Sequence, residues 1–249
     1  MANHFPLRLV GSRMLAPSVR HLEFARDDGL PLDFIPGQFI QVHFNYPDGT
    51  ATKRSYSLAT VHDHALGPGE AVEIAVSYVA GGAATALFTA LDEGQQIQAS
   101  GPYGRFCLGA ADANKRYLLI GTGTGVTPYR AMLPQLRQMM ATRGVEVVLL
   151  FGARTPEELI YGEDFYAFAA ENPGFRFVPC FSRELPANPH GDVRRGYVQD
   201  ALAEFAPDAT GDVAYLCGNP NMVDAAFEAL KLAGLPVPHI RREKYVSSK

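Results

Sequence analysis

The sequence predicts two domains: an N-terminal antiparallel β-barrel with one helix, and a C-terminal α/β domain with a doubly wound, parallel, five-stranded sheet. Three observations predict it. Before the small-polar stretch at 109–114, short alternating apolar-polar segments are separated by Pro-Gly, Pro-Asp-Gly and Gly-Pro-Gly breakers, as in antiparallel hairpins. After that stretch, apolar runs alternate with helical segments, which implies a parallel sheet with helices on both faces and thus a nucleotide-type fold. The length of 249 residues, 47% of them hydrophobic, suffices for two moderate domains. The boundary falls near residue 112, giving domains at 1–111 and 112–249.

In the first domain, 18–25 (SVRHLEFA) and 38–44 (QFIQVHF) alternate as half-buried strands do, and 54–60, 71–79 and 95–100 are further strands. A helix at 84–91 follows Gly81-Gly82. In the second domain, strand 117–120 leads through a Gly/Thr loop into a helix near 127–142. Strand 145–151 precedes a helix at 159–170, strand 175–181 a helix at 197–205, and strand 213–217 a helix at 221–233. A last strand spans 239–246.

Composition excludes several function classes. A net charge of −4 gives no support for a nucleic-acid partner, which needs a basic face. Cys107, Cys180 and Cys217 are far apart and form no CxxC pair, so neither a metal or iron–sulfur site nor a disulfide framework is expected. Scattered thiols fit a reducing compartment. The N-terminus lacks a signal pattern and no apolar run reaches membrane-span length. The expectation is a cytoplasmic, monomeric protein with no membrane or metal.

Arg54-Ser55-Tyr56-Ser57 lies on a strand, which puts Arg54 and Tyr56 on one face and Ser55 and Ser57 on the other. An arginine fork suits a pyrophosphate, and a tyrosine can stack on a flat ring. A cross-strand pair with a buried tyrosine would also account for these four residues. Gly81-Gly82-Ala83-Ala84-Thr85 opens a helix, where free amides attract anions; a plain turn capped by Thr85 is the other reading. Gly101-Pro102-Tyr103-Gly104 reads as a structural tight turn.

Gly121-Thr122-Gly123-Thr124-Gly125-Val126-Thr127-Pro128 follows a strand and opens a helix, the setting a phosphate loop requires. Gly123 and Gly125 permit close backbone approach, Thr124 and Thr127 supply hydroxyl donors, and Pro128 fits the first helical turn. It is not the common dinucleotide fingerprint and lacks a Walker lysine. Cys217-Gly218-Asn219-Pro220-Asn221-Met222 ends another parallel strand, so both turns should face one cleft.

In order and spacing these elements, with Pro36-Gly37-Gln38-Phe39, resemble the plant-type ferredoxin–NADP reductase superfamily. The resemblance implies FAD on the barrel. Arg54, Ser55, Tyr56 and Ser57 would contact flavin and diphosphate, with Ser57 near the flavin N5 where hydride arrives. Gly82, Ala83, Ala84 and Thr85 would support the phosphates. In the second domain, Gly123, Thr124, Gly125, Thr127, Pro128 and Gly218 would hold the nicotinamide nucleotide, with Cys217 beside the hydride-donating carbon. Ser182-Arg183-Glu184 and Tyr197, with Arg154, resemble the family's 2′-phosphate and adenine site, which implies NADP(H) rather than NAD. Tyr245, four residues from the end, is similar to the aromatic of bacterial members that covers the flavin; an ordinary tyrosine on a terminal strand is the alternative. Glu243 is given no catalytic role.

The implied activity is electron exchange between NADP(H) and a one-electron carrier, ferredoxin or flavodoxin. An oxygenase reductase would usually carry a fused ferredoxin domain with clustered cysteines, which this sequence does not contain. A free-flavin or quinone reductase, or a flavin-binding regulatory subunit without turnover, stands as the alternative.

Overall fold

The computed structural model describes residues 4–64, 66–109 and 112–246. Residue 111, the last of the expected first domain, lies outside them. The described residues divide into two compact units: those up to Leu108 together with Thr127–Met132, and the remainder from Gly109 onward.

The first unit is a six-stranded antiparallel sheet of β1 (His4–Ala16), β2 (Val19–Arg26), β3 (Phe39–Asn45), β4 (Ala51–Ser57), β5 (Val72–Ser77) and β6 (Gln96–Tyr103), in the order β4-β3-β6-β1-β2-β5. A bridge between Leu58 and Ile74 joins the β4 end of the row to β5 and closes the barrel. Phe5, Leu7, Leu9, Leu22, Phe24, Ile40, Val42 and Ile74 fill it, and helix α1 (Ala83–Ala90) adds Phe88.

Strand β1 is absent from the sequence expectation. Phe5, Leu7 and Leu9 do alternate into the core, but Pro6 interrupts the pattern and the pairing with β2 shifts between Leu9 and Gly11. The expected turn at 101–104 is also revised, because β6 continues through Tyr103. Gly101 allows this: its φ is 141°, and a Cβ there would lie 3.2 Å from the Phe39 carbonyl oxygen.

The second unit is a parallel sheet of β7 (Arg116–Thr122), β8 (Glu146–Ala153), β9 (Phe175–Phe181), β10 (Arg194–Arg195), β11 (Asp212–Gly218) and β12 (Ile240–Lys244), ordered β10-β9-β8-β7-β11-β12. Helices α2 (Thr127–Arg143), α3 (Gly162–Glu171), α4 (Val198–Ala201) and α5 (Pro220–Leu232) connect them. The sheet therefore has six strands, not five. The sixth, β10, is two arginines long and carries no hydrophobic period, so pattern alone cannot reveal it. Strand β7 lies between β8 and β11, so the topological switch point falls at the carboxyl ends of β7 and β11.

Candidate functional site

On β4, register fixes which way each predicted flavin residue points. Arg54 pairs with Val42 and Tyr56 with Ile40, both fully buried partners, so these two side chains share the inward-facing side of the sheet. Ser55 is exposed on the other side, and Ser57 is buried where the strand meets Phe39. Tyr56 packs edge-to-face on Phe88 with ring centroids 5.3 Å apart. Burial holds its phenol well above the usual range and therefore neutral. Arg54 is pre-positioned entirely by uncharged partners: it donates to Tyr46 Oη at 2.8 Å, and to Thr52 Oγ1 and the Lys53 carbonyl at 2.9 Å. Among the described residues it forms no ion pair, so its charge is available to an anion.

Gly82 is the N-cap of helix α1 and offers no side chain to cap it; the first turn holds no carboxylate. The Thr85 hydroxyl is committed elsewhere, accepting from Val79 N at 2.8 Å and donating to Val79 O at 3.0 Å, so Thr85 braces the glycine turn and does not cap the helix. First-turn amides without a cap are a ready anion site. At the other end Arg20 donates to the carbonyls of Phe88 at 2.6 Å and Leu91 at 3.3 Å, a cation where the helix dipole is negative. These features suit the diphosphate of a flavin dinucleotide.

In the second unit the two glycine turns interlock. Strands β7 and β11 pair with Gly121 beside Cys217. Gly125 sits so close to that strand end that a Cβ on it would lie 2.3 Å from the Cys217 carbonyl oxygen. Gly218, at φ 125°, would put a Cβ 2.6 Å from the Thr122 carbonyl oxygen. The Asn219 amide donates to Thr122 Oγ1 at 3.0 Å and completes the join. Both turns therefore meet at the switch point.

The two helix starts differ. Asn219 Oδ1 accepts from the amides of Asn221 and Met222 and so caps α5. Helix α2, entered through a 3₁₀ turn at Gly123–Val126 with Pro128 in its first turn, has no side-chain cap. Among the described residues the Thr127 hydroxyl there is buried with no hydrogen-bond partner. An orphaned hydroxyl and uncapped amides on α2 suit a phosphate; the α5 terminus is already satisfied.

Cys217 is fully buried, and its register partner on β12 is Glu243. Burial pushes the thiol well above its usual range, the Glu243 charge adds to this, and a side-chain hydrogen bond from Tyr245 opposes it. The thiol is thus protonated and no activated nucleophile. Burial also pushes the Glu243 carboxyl up to about 7, and among the described residues its Oε2 has no hydrogen-bond partner. The Tyr245 amide donates to Gly218 O at 2.8 Å, extending the line of β12. Sequence reasoning named Glu243 without a catalytic role; its place two residues before Tyr245, on one face of a strand, was the signal for more.

At the ends of β8 and β9 the structure gathers Arg154, Ser182 and Arg183. The Arg183 and Glu184 amides donate to the Arg154 carbonyl at 3.0 and 3.2 Å, and Ser182 N to Ala153 O at 3.1 Å. Arg183 is exposed, and Tyr197, just ahead of α4, is 60% exposed, as a stacking platform for a flat base requires. Arg154 itself is engaged by Glu158, a partner with no signal in the sequence beyond its i,i+4 spacing. Arg194 is engaged by Asp192 and Glu204.

Comparison with known proteins agrees with this geometry. The oxidoreductase FAD-binding domain family matches residues 6–107, and the oxidoreductase NAD-binding domain family matches residues 119–228. The chain is 34% identical over 251 residues to ferredoxin–NADP reductase B of Sorangium cellulosum, covering 98% of both proteins. The chain belongs to the ferredoxin–NADP reductase superfamily. It is an oxidoreductase of this superfamily that binds FAD and a nicotinamide dinucleotide and passes electrons to a carrier. It is also 35% identical to the aromatic O-demethylase reductase subunit of an Amycolatopsis strain, over 86% of this chain but only 62% of that one. Among solved structures, the Amycolatopsis cytochrome P450 reductase GcoB superposes with a TM-score of 0.83 at 32% identity, over 98% of this chain and 70% of that one. Superfamily members thus include reductases of oxygenase systems, and among the described residues no helix of this one is long and apolar enough to cross a membrane.

Proposed function

We propose that this oxidoreductase exchanges electrons between NADP(H) and a ferredoxin or flavodoxin, with residues 1–111 holding FAD and 112–249 holding the nucleotide. The observation that carries this reading is the end-to-end match to a ferredoxin–NADP reductase, 98% of both chains at 34% identity. FAD bound there would supply the conversion between two-electron and one-electron transfer that a nicotinamide alone cannot perform. The protein positions the reactants. Arg54 and the α1 amides bind diphosphate, Tyr56 backed by Phe88 supports the ring, and Ser57 orients its edge. Gly123, Thr124, Gly125, Thr127, Pro128 and Gly218 shape the nicotinamide turn, and Cys217 and Tyr245 line its end.

The match to the O-demethylase reductase subunit favours a second reading, in which the carrier delivers electrons to an oxygenase. Stopped-flow reduction by NADPH and NADH, followed by ferredoxin and flavodoxin as acceptors, tests both. Rapid transfer to either carrier supports the proposal. Flavin reduction with no transfer to them removes it.

Two variants test the residue roles. Arg183→Ala is expected to weaken NADPH about tenfold, as loss of one charge-assisted phosphate contact does, and to leave NADH nearly unchanged. Equal losses in titrations with the two nucleotides would refute the phosphate role. Ending the chain after Lys244 removes Tyr245 and its hydrogen bond to Cys217, and should change nicotinamide affinity and turnover together, as loss of a gate does. Unchanged steady-state constants would show that Tyr245 is only structural.

A further inference from the structure

Of the three arginines assigned to phosphate groups, Arg54 and Arg154 stand in opposite electrostatic settings. Arg54 is held by hydroxyls and a carbonyl alone. Arg154 is held by a carboxylate: Glu158 Oε2 accepts from its Nε at 2.8 Å and from its backbone amide at 3.2 Å, while Oε1 pairs with its Nη2. Glu158 closes the 3₁₀ turn Pro156–Glu158, directly beyond the carboxyl end of β8. Burial works against its charge, but the Arg154 hydrogen bonds and the charges of Arg154 and Arg183 together keep its carboxyl below the usual range. At neutral pH a negative charge therefore sits against Arg154 and within electrostatic reach of Arg183.

We propose that Glu158 sets the nucleotide selectivity of this oxidoreductase, neutralising Arg154 and opposing a 2′-phosphate that Arg183 and Ser182 attract. The inference rests on the reading of Ser182–Arg183 as the 2′-phosphate site. A phosphate monoester carries between one and two negative charges near pH 7, so a carboxylate within the same cluster repels it. A ribose 2′-hydroxyl is a neutral donor that a carboxylate tolerates or accepts. Arg154 cannot serve a phosphate at full strength while its fork is bonded to Glu158. The cluster thus combines one arginine that favours NADP(H) with an arginine–carboxylate pair that does not, and discrimination is weaker than two free arginines would give.

The test measures binding of 2′,5′-ADP and 5′-AMP by calorimetry to the FAD-loaded enzyme and its Glu158→Gln variant. Glutamine keeps an oxygen for the Arg154 amide and Nε and removes the charge, together with the acceptor that pairs with Nη2. The expected result is 2′,5′-ADP tightened about fivefold or more with 5′-AMP changed by less than about twofold, and a steeper salt dependence for the former. Glu158→Asp, which retains the charge, should keep the parent's preference. The inference is overturned if Glu158→Gln moves both ligands alike or fails to tighten 2′,5′-ADP, or if the aspartate variant tightens it equally. Arg183→Ala, run in parallel, separates the two levels. If it selectively weakens 2′,5′-ADP while Glu158→Gln does nothing, only the role of Glu158 falls. If it weakens both ligands alike, the phosphate-site reading falls with it.

Discussion

A Gly125→Ala enzyme is expected to lose about a hundredfold in nicotinamide-driven flavin reduction while still binding FAD, because misplacing a binding turn by about 1 Å has that cost. The reason is steric. An added Cβ would stand 2.3 Å from the Cys217 carbonyl oxygen and 2.6 Å from Gly218 Cα, both backbone atoms of a paired strand end. Neither can swing aside as a flexible side chain would. Relief requires the 123–126 turn to move away from β11, which also shifts the uncapped start of α2. Overpacking of this kind costs about 1–3 kcal/mol, so the variant should fold with a lowered melting temperature. Gly123→Ala is the control. At φ 53° its new Cβ would have no neighbour within 4 Å, so only backbone strain of about 1–2 kcal/mol applies. FAD content, melting temperature and single-turnover reduction by NADPH distinguish the two. If both variants reduce flavin at the same rate, the interlock with Cys217 is not what places the nicotinamide turn.

That contrast shows what was legible in the sequence. The glycines of 121–125 read as a candidate phosphate loop because residue type and context, strand then helix, suggest one. Which glycine makes the close approach is not visible, since it depends on β11, which pairs with β7 from about 96 residues away in register (Asp212 with Arg116). The same divide recurs elsewhere. Strand periodicity put Arg54 and Tyr56 on one face, and the register with Val42 and Ile40 agrees. Nothing local indicated that Phe88 on α1 backs the Tyr56 ring, and the i,i+4 spacing of Arg154 and Glu158 was uninformative because it crosses a strand end and a 3₁₀ turn, not one helix. The strands β1 and β10 escaped for a related reason: Pro6 and a bulge near Gly11 obscure the first, and two arginines carry no period in the second. Local chemistry was readable, whereas pairings made by tertiary contact were not.

Glu243→Gln is expected to stabilise the protein at pH 8 and change little at pH 5. Burial lifts the native carboxyl from an ordinary 4.5 to about 7, so between those values the folded chain holds a proton that the unfolded chain releases. Native stability therefore falls as pH rises through that window and levels off above it. Each pKa unit corresponds to about 1.36 kcal/mol, and with allowance for the part-exposed position the loss at pH 8 is about 2 kcal/mol. Glutamine carries no charge at either pH and escapes that loss, which corresponds to roughly 4–8 °C in melting temperature for a chain of this size. The same charge bears on the reaction. With the nicotinamide at Cys217 as proposed, an ionised Glu243 in register with that residue would favour a positively charged oxidised ring over its neutral reduced form. The parent's affinity for NADP⁺ relative to NADPH should therefore rise as pH passes about 7, and the glutamine variant should show no such inflection. Melting curves at pH 5 and pH 8, with nucleotide titrations across the same range, check both parts. Parallel behaviour of parent and variant throughout would mean that Glu243 ionises as an ordinary surface carboxylate, and that its place beside Cys217 has no electrostatic consequence for the nicotinamide.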